Sequence, residues 1–168
     1  MSETDLLFLL AELGVALAGF SAIVGVLGRR TRTSDIRVDA LRLQVMLETS
    51  FIVAAAGIVP ALLDNWGVPS SYLWRISGAM LLAVQIPFEI LCYRRTKSMP
   101  EMGISKFNVN TINWLLSISA DLLSLAVVLG LAGDHASGCY LLAVFTLLVL
   151  AALLFIHFAA STFFSFDE

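Results

Sequence analysis

Charge is scarce in this chain. Only 14% of its 168 residues are charged, with 13 acids against 10 bases, and no basic face for nucleic acid is drawn anywhere along it. Cysteine is nearly absent: Cys92 and Cys139 are too few for a disulfide framework, and neither sits in a CxxC or similar metal spacing. Of the two histidines, His135 and His157, only the latter lies in an apolar stretch, so the paired axial histidines of a membrane cytochrome are missing. Lys97 and Lys106, the only lysines, lie outside the apolar stretches, which excludes a retinal Schiff base. An arginine ladder and a TVGYG-like filter are absent. So are HExxH, a Glu-x-x-His pair, GxSxG and a Gly-rich phosphate loop. No metal or cofactor is therefore expected, and nothing marks a catalytic nucleophile. The opening Met-Ser-Glu-Thr-Asp is acidic where a secretory signal is basic, and no small-residue cleavage site follows, so the first apolar stretch is expected to be retained.

What is present is hydrophobic length. Apolar residues make up 59% of the chain, against roughly 45–50% in a soluble domain, and the mean hydropathy is +0.90. A bilayer core needs about 20 apolar residues per helix. Five stretches meet that need, near residues 6–28, 41–63, 72–93, 109–132 and 139–163. The expected architecture is an all-α integral membrane bundle of five spans, forming one domain over residues 1–168. Asp64 to Ser71 and Gly133 to Gly138 read as tight hairpin turns, the first with an interfacial Trp66.

The bases set the orientation. Arg29, Arg30, Arg32, Arg37, Arg42, Arg94, Arg95, Lys97 and Lys106 fall on one side and Arg75 alone on the other, a count of nine against one. The positive-inside rule then puts the N-terminus outside and the C-terminus inside. Cys92 falls at the inner end of span three and Cys139 at the outer end of span five, so most of the ~30 Å hydrocarbon thickness separates them.

Polar residues inside the spans follow a pattern. In span four, Asn110, Asn113, Ser117, Asp121 and Ser124 recur at three- and four-residue intervals, one helical face. Asp121 lies about 15 Å from either surface, beyond the snorkelling reach of so short a side chain. Glu48 on span two, Glu89 on span three and His157 on span five converge in the inner half. Gln85 stands one turn from Glu89, and Gln44 one turn from Glu48, with Pro87 beside Gln85 and Glu89 freeing the carbonyl of Ala83. Facing inward, these side chains would form a pocket able to share a proton. Facing otherwise, Glu48 or Glu89 would reach a basic residue such as Arg42 or Arg94, and the hydroxyls and amides would join helices.

Span one has two faces that should avoid lipid. Gly14, Ala18, Ser21, Gly25 and Gly28 draw a groove of small side chains down one, which lets another helix approach closely. Glu12 points almost opposite, with Ala16 and Gly19. One face packing inside the chain and the other against a neighbour predicts a homo-oligomer; span one at the centre of a monomer would also satisfy both. Glu12 lies about 9 Å below the outer surface and Arg75 about one turn into span three, so an ion pair between them would account for both misplaced charges.

The segment ALAGFSAIVGVLGRR, followed by LRLQVMLETS, resembles a group of uncharacterised small bacterial multi-pass membrane proteins, over about the first third of the chain. That resemblance implies a bacterial cytoplasmic membrane and carries no activity. Two readings of function stand. In one, an oligomeric channel or transporter moves protons, ions or a small solute past Asp121, Glu48, Glu89 and His157, with Gln85, Ser117 and Asn113 lining the path. In the other, the chain is an accessory or scaffold subunit whose polar residues hold helices together and whose partner is another membrane protein. An intramembrane enzyme is the weakest of the alternatives, since no nucleophile constellation is present.

Overall fold

Gly67 and Gly130 decide where the bundle turns. A computed structural model of the chain describes residues 3–28, 36–97 and 107–163, and both glycines adopt a φ of +76° that an L side chain would resist. At the first, Val68 N–H donates to Leu63 O (3.1 Å) and Gly67 N–H to Asp64 O (2.9 Å). At the second, Leu131 N–H donates to Ala126 O (2.9 Å) and Gly130 N–H to Val127 O (3.1 Å). Each is the paired bonding that closes a helix on a left-handed residue and satisfies its last carbonyls. The break after the fourth helix therefore comes at Gly130, earlier than the Gly133 expected from the sequence.

The helices are α1 (Glu3–Gly28), α2 (Ile36–Asn65), α3 (Ser70–Lys97), α4 (Phe107–Val128) and α5 (Ala136–Phe163), the last preceded by a 3-10 turn at Gly133–His135. No strand occurs among the described residues. All five helices are long and apolar enough to cross a membrane. α2 and α3 run through Pro60 and Pro87 without ending.

Small residues set the tightest packing. A Cβ added to Gly14 would meet Ser50 O of α2 at 2.9 Å, and one on Gly57 would meet Leu7 O of α1 at 2.6 Å. The two backbones thus approach as closely as their side chains allow. Ala18, Ser21 and Gly25 lie buried along the same line, and Gly25 meets Leu43. The groove is accordingly filled from within the chain, by α2; the surroundings of Gly28 lie outside the described residues. Gly19, on the opposite face, has open space around it.

Neighbouring helices close a ring in the order α1, α2, α3, α4, α5, and α5 also reaches inward to α2 and α3. The central helix is α5, not span one. Tyr140, Ala143, Val144, Leu147 and Ala151 of α5 are at most 1% exposed, and the Tyr140 hydroxyl donates to Ala56 O of α2 at 2.8 Å.

Within an apolar core some polar side chains are also buried, and many large apolar ones face outward. Ser21, Thr49, Ser50, Ser77, Gln85, Ser117 and Ser124 are buried, while Val26, Phe51, Leu115, Leu122 and Ile156 stand outward. Outside water, large apolar side chains cost nothing at the surface, and hydroxyls and amides need partners inside. The buried hydroxyls find some in their own helices: Ser21 donates to Leu17 O, Thr49 to Val45 O and Ser77 to Leu73 O.

Candidate functional site

The seam between α3 and α4 gathers the polar stripe of span four against the acid of span three. Gly78 of α3 allows the close approach, since a Cβ there would meet Ser124 O at 3.2 Å. Two helical turns along, Gln85 is 3% exposed. Its Nε2 lies 3.4 Å from Glu89 Oε1 and 3.4 Å from Ser117 Oγ. Ser117 itself donates its hydroxyl to Glu89 Oε1. Asp121, one turn further along α4 and half-buried, lies close enough to Glu89 for the two carboxyl groups to act on each other.

The chemistry of that last contact is restrictive. Two carboxylates ionised side by side repel one another, so the pair relies on the donors around it. The seam is thus a carboxyl pair steadied by one hydroxyl and one amide. It spans the C-terminal half of α3 and the middle of α4. Several oxygens in it are left over: Gln85 Oε1, Asn113 Oδ1 and Ser124 Oγ are buried with no hydrogen-bond partner. Asn113, Ser117, Asp121 and Ser124 share one face of α4 at intervals of four, four and three.

Glu48 takes a different partner. Arg95 Nη1 lies 3.5 Å from Glu48 Oε2, both side chains being about a third exposed (35% and 36%). Gln44 Nε2 donates to Glu48 Oε1 at 2.7 Å. This is the arginine-paired arrangement that the sequence left open, though with Arg95 in place of Arg42 or Arg94. The carboxylates of Glu48 and Glu89 both act electrostatically on the Cys92 sulfur. His157 is half-buried near the end of α5 and is engaged in an interaction of its own. Nearby, Tyr93 of α3 meets Trp114 of α4 edge to face at 6.2 Å, covering the seam toward this end of the bundle.

The expected Glu12–Arg75 ion pair does not form. Arg75 Nε donates instead to Val128 O, at 3.0 Å, and its guanidinium lies against Gly130. The reason is positional: α1 packs on α2 and α5, with Glu12 on its outward face, while Arg75 on α3 meets the carbonyl end of α4. There a cation is favoured by the helix dipole. The glycine that ends α4 leaves room for it, a signal the sequence carried in Gly130.

No protein family, curated protein or solved structure matches this chain, and its function has to be read from its own residues.

Proposed function

We propose that this protein is a multi-pass membrane protein of the bacterial cytoplasmic membrane, N-terminus outside and C-terminus inside. In this reading it is an oligomeric channel or transporter-like protein that relays protons along the α3–α4 seam. The observation carrying the reading is the adjacent carboxyls of Glu89 and Asp121, among span residues, with Ser117 and Gln85 around them. Ionisable groups at this depth cost several kcal/mol by any scale and are kept where a proton or ion must pass. The nine-to-one distribution of bases supports the orientation. Resemblance over the first third of the chain supports the bacterial membrane. The open face of α1 around Glu12, Ala16 and Gly19 suits a second copy, since close helix association uses small residues.

The second reading, a scaffold subunit, is favoured by one feature: Ser117 and Glu89 bond across the seam as helix-joining groups do. Flux separates the two. Purified protein in liposomes with an entrapped pH dye should move protons down an imposed gradient, and Asp121→Asn or Glu89→Gln should abolish that movement. A scaffold instead gives no flux in the parent, loses abundance in the same variants, and co-purifies with a membrane partner.

A further inference from the structure

Glu12 and Arg75 are both exposed, each inside a helix able to cross a membrane. Among the described residues Glu12 has no hydrogen-bond or ion-pair partner, and Arg75 uses only its Nε, on Val128 O. The two Nη nitrogens of Arg75 keep their donors for another acceptor. Held against Gly130, the guanidinium is fixed beside the end of α4. A charge facing hydrocarbon is costly and is kept where an opposite charge or water meets it.

Contacts inside the bundle set the two charges at one level. The rings of Trp74 and Tyr140 meet at 5.9 Å, the Tyr140 hydroxyl donates to Ala56 O at 2.8 Å, and a Cβ on neighbouring Gly57 would lie 2.9 Å from Ala11 Cβ. Arg75 follows Trp74 and Glu12 follows Ala11, so each charge stands one residue, a rise of about 1.5 Å, beyond that layer. Ser137, at the start of α5, donates to Glu3 at the start of α1 (2.7 Å); with the Trp74–Tyr140 contact this makes α1 and α3 run the same way. Both faces then continue with small residues. Ala16 and Gly19 follow Glu12 at one-turn intervals, Ala79 and Ala83 follow Arg75, and all four are exposed.

Within one chain the two charges are kept apart, because α2 stands between α1 and α3. Between copies nothing separates them. We infer that the Glu12 face of α1 in one copy docks on the Arg75 face of α3 in a second copy, the Glu12 carboxylate accepting from the Arg75 Nη donors and Ala16 and Gly19 lying against Ala79 and Ala83. Rotation about the membrane normal relates the copies and preserves depth, so the shared level of the two charges is what such a contact requires. A symmetric α1–α1 contact would instead set Glu12 against Glu12, like charges that repel. The head-to-tail contact leaves each copy one free half on either side and repeats until a ring closes. Small side chains on both faces let the two backbones approach. The inference rests on the homo-oligomer reading and names the two surfaces that build it.

The test is disulfide trapping in native membranes, on the full chain with Cys92 and Cys139 replaced by alanine. Copies carrying Ala16→Cys under one tag and Ala79→Cys under another are expressed together and oxidised. A disulfide joining the two tags is expected, and neither variant alone should link to itself. Energy transfer between labelled copies in liposomes reads the charges. Glu12→Gln and Arg75→Met should each weaken association about tenfold or more, as loss of one member of a charge pair shut off from water does, and the double variant should be no weaker than either. Unfolding of chains dispersed singly in micelles does not read a contact between copies and stays additive. Ala16→Cys linking to itself places α1 against α1, which keeps the oligomer and overturns this inference; association unchanged in both charge variants does the same. Trapping that fails while the parent still associates overturns this inference alone, and a parent that gives no energy transfer overturns the oligomer reading with it.

Discussion

Across the α3–α4 seam, the hydroxyl of Ser117 donates to the carboxylate of Glu89, and the same carboxylate meets Asp121 one turn further along α4. Residues 28 positions apart in the chain are thereby tied by a bond that neither helix makes alone.

Removing that donor should be measurable in the fold itself. Ser117→Ala leaves Glu89 with one partner fewer and should lower stability by about 1 kcal/mol, within the range of interhelical hydrogen bonds in membranes. Ser119→Ala is the comparison, because its hydroxyl only returns to Leu116 O of its own helix at 2.7 Å; it should change stability by less than about 0.5 kcal/mol. Unfolding by SDS in mixed micelles reads both.

Glycine substitutions separate the two faces of α1. Gly57→Ala drives a methyl to 2.6 Å from Leu7 O, a backbone atom that cannot swing aside. It should cost about 1–3 kcal/mol, as overpacking does. Gly19→Ala meets open space and, on helix propensity alone, should be neutral or stabilising by up to about 1 kcal/mol. Gly19→Leu should leave the monomer folded and weaken cross-linking between copies in native membranes; cross-linking that is absent in the parent would count against a homo-oligomer.

Arg75 and Glu12 should behave independently. Arg75→Met removes the donor to Val128 O and should destabilise by about 1 kcal/mol, the net worth of an ordinary hydrogen bond. Glu12→Gln should add to it without coupling, since groups that share no partner contribute additively to within about 0.5 kcal/mol. A double-mutant cycle in micelles checks this. A coupling above about 1 kcal/mol would mean that the two charges meet after all.

The cysteines report orientation. The rings of Trp74 and Tyr140 meet at a tilt of 47° with centroids 5.9 Å apart, which brings the starts of α3 and α5 to one end of the bundle. Cys139 therefore lies at that end, and Cys92, late in α3, at the other. In intact cells an impermeant maleimide should label Cys139 well before Cys92, and permeabilisation should even the two. Preferential labelling of Cys92 would reverse the topology.

Much of this arrangement was legible in the sequence, for identifiable reasons. Five apolar lengths give five helices because a hydrocarbon solvent leaves the backbone few alternatives. The spacing of Asn113, Ser117, Asp121 and Ser124 gives one face because the helical period is fixed. Gly14, Ala18, Ser21 and Gly25 advertise a close helix contact through their size. Periodicity does not say which neighbour fills a face, so the sequence could not decide that α2 takes the α1 groove or that α5 occupies the centre. The Glu12–Arg75 pairing failed on the same ground: shared depth is necessary for an ion pair, but azimuth decides it, and Arg75 turns toward Val128. Depth also set Glu89 and Asp121 apart on paper, by little more than about one turn of helix, a gap that side chains on two antiparallel helices meeting side by side can bridge.

The most direct measurement of the central claim is proton flux into liposomes holding the parent, Asp121→Asn, Glu89→Gln and, as a control away from the seam, Thr146→Val, whose hydroxyl only returns to Leu142 O. The account predicts flux in the parent and in Thr146→Val, and at least a tenfold loss in each seam variant while all four remain folded, a factor of ten in rate corresponding to about 1.4 kcal/mol of barrier. Absence of flux in the folded parent, or flux that survives both Asp121→Asn and Glu89→Gln, would contradict it.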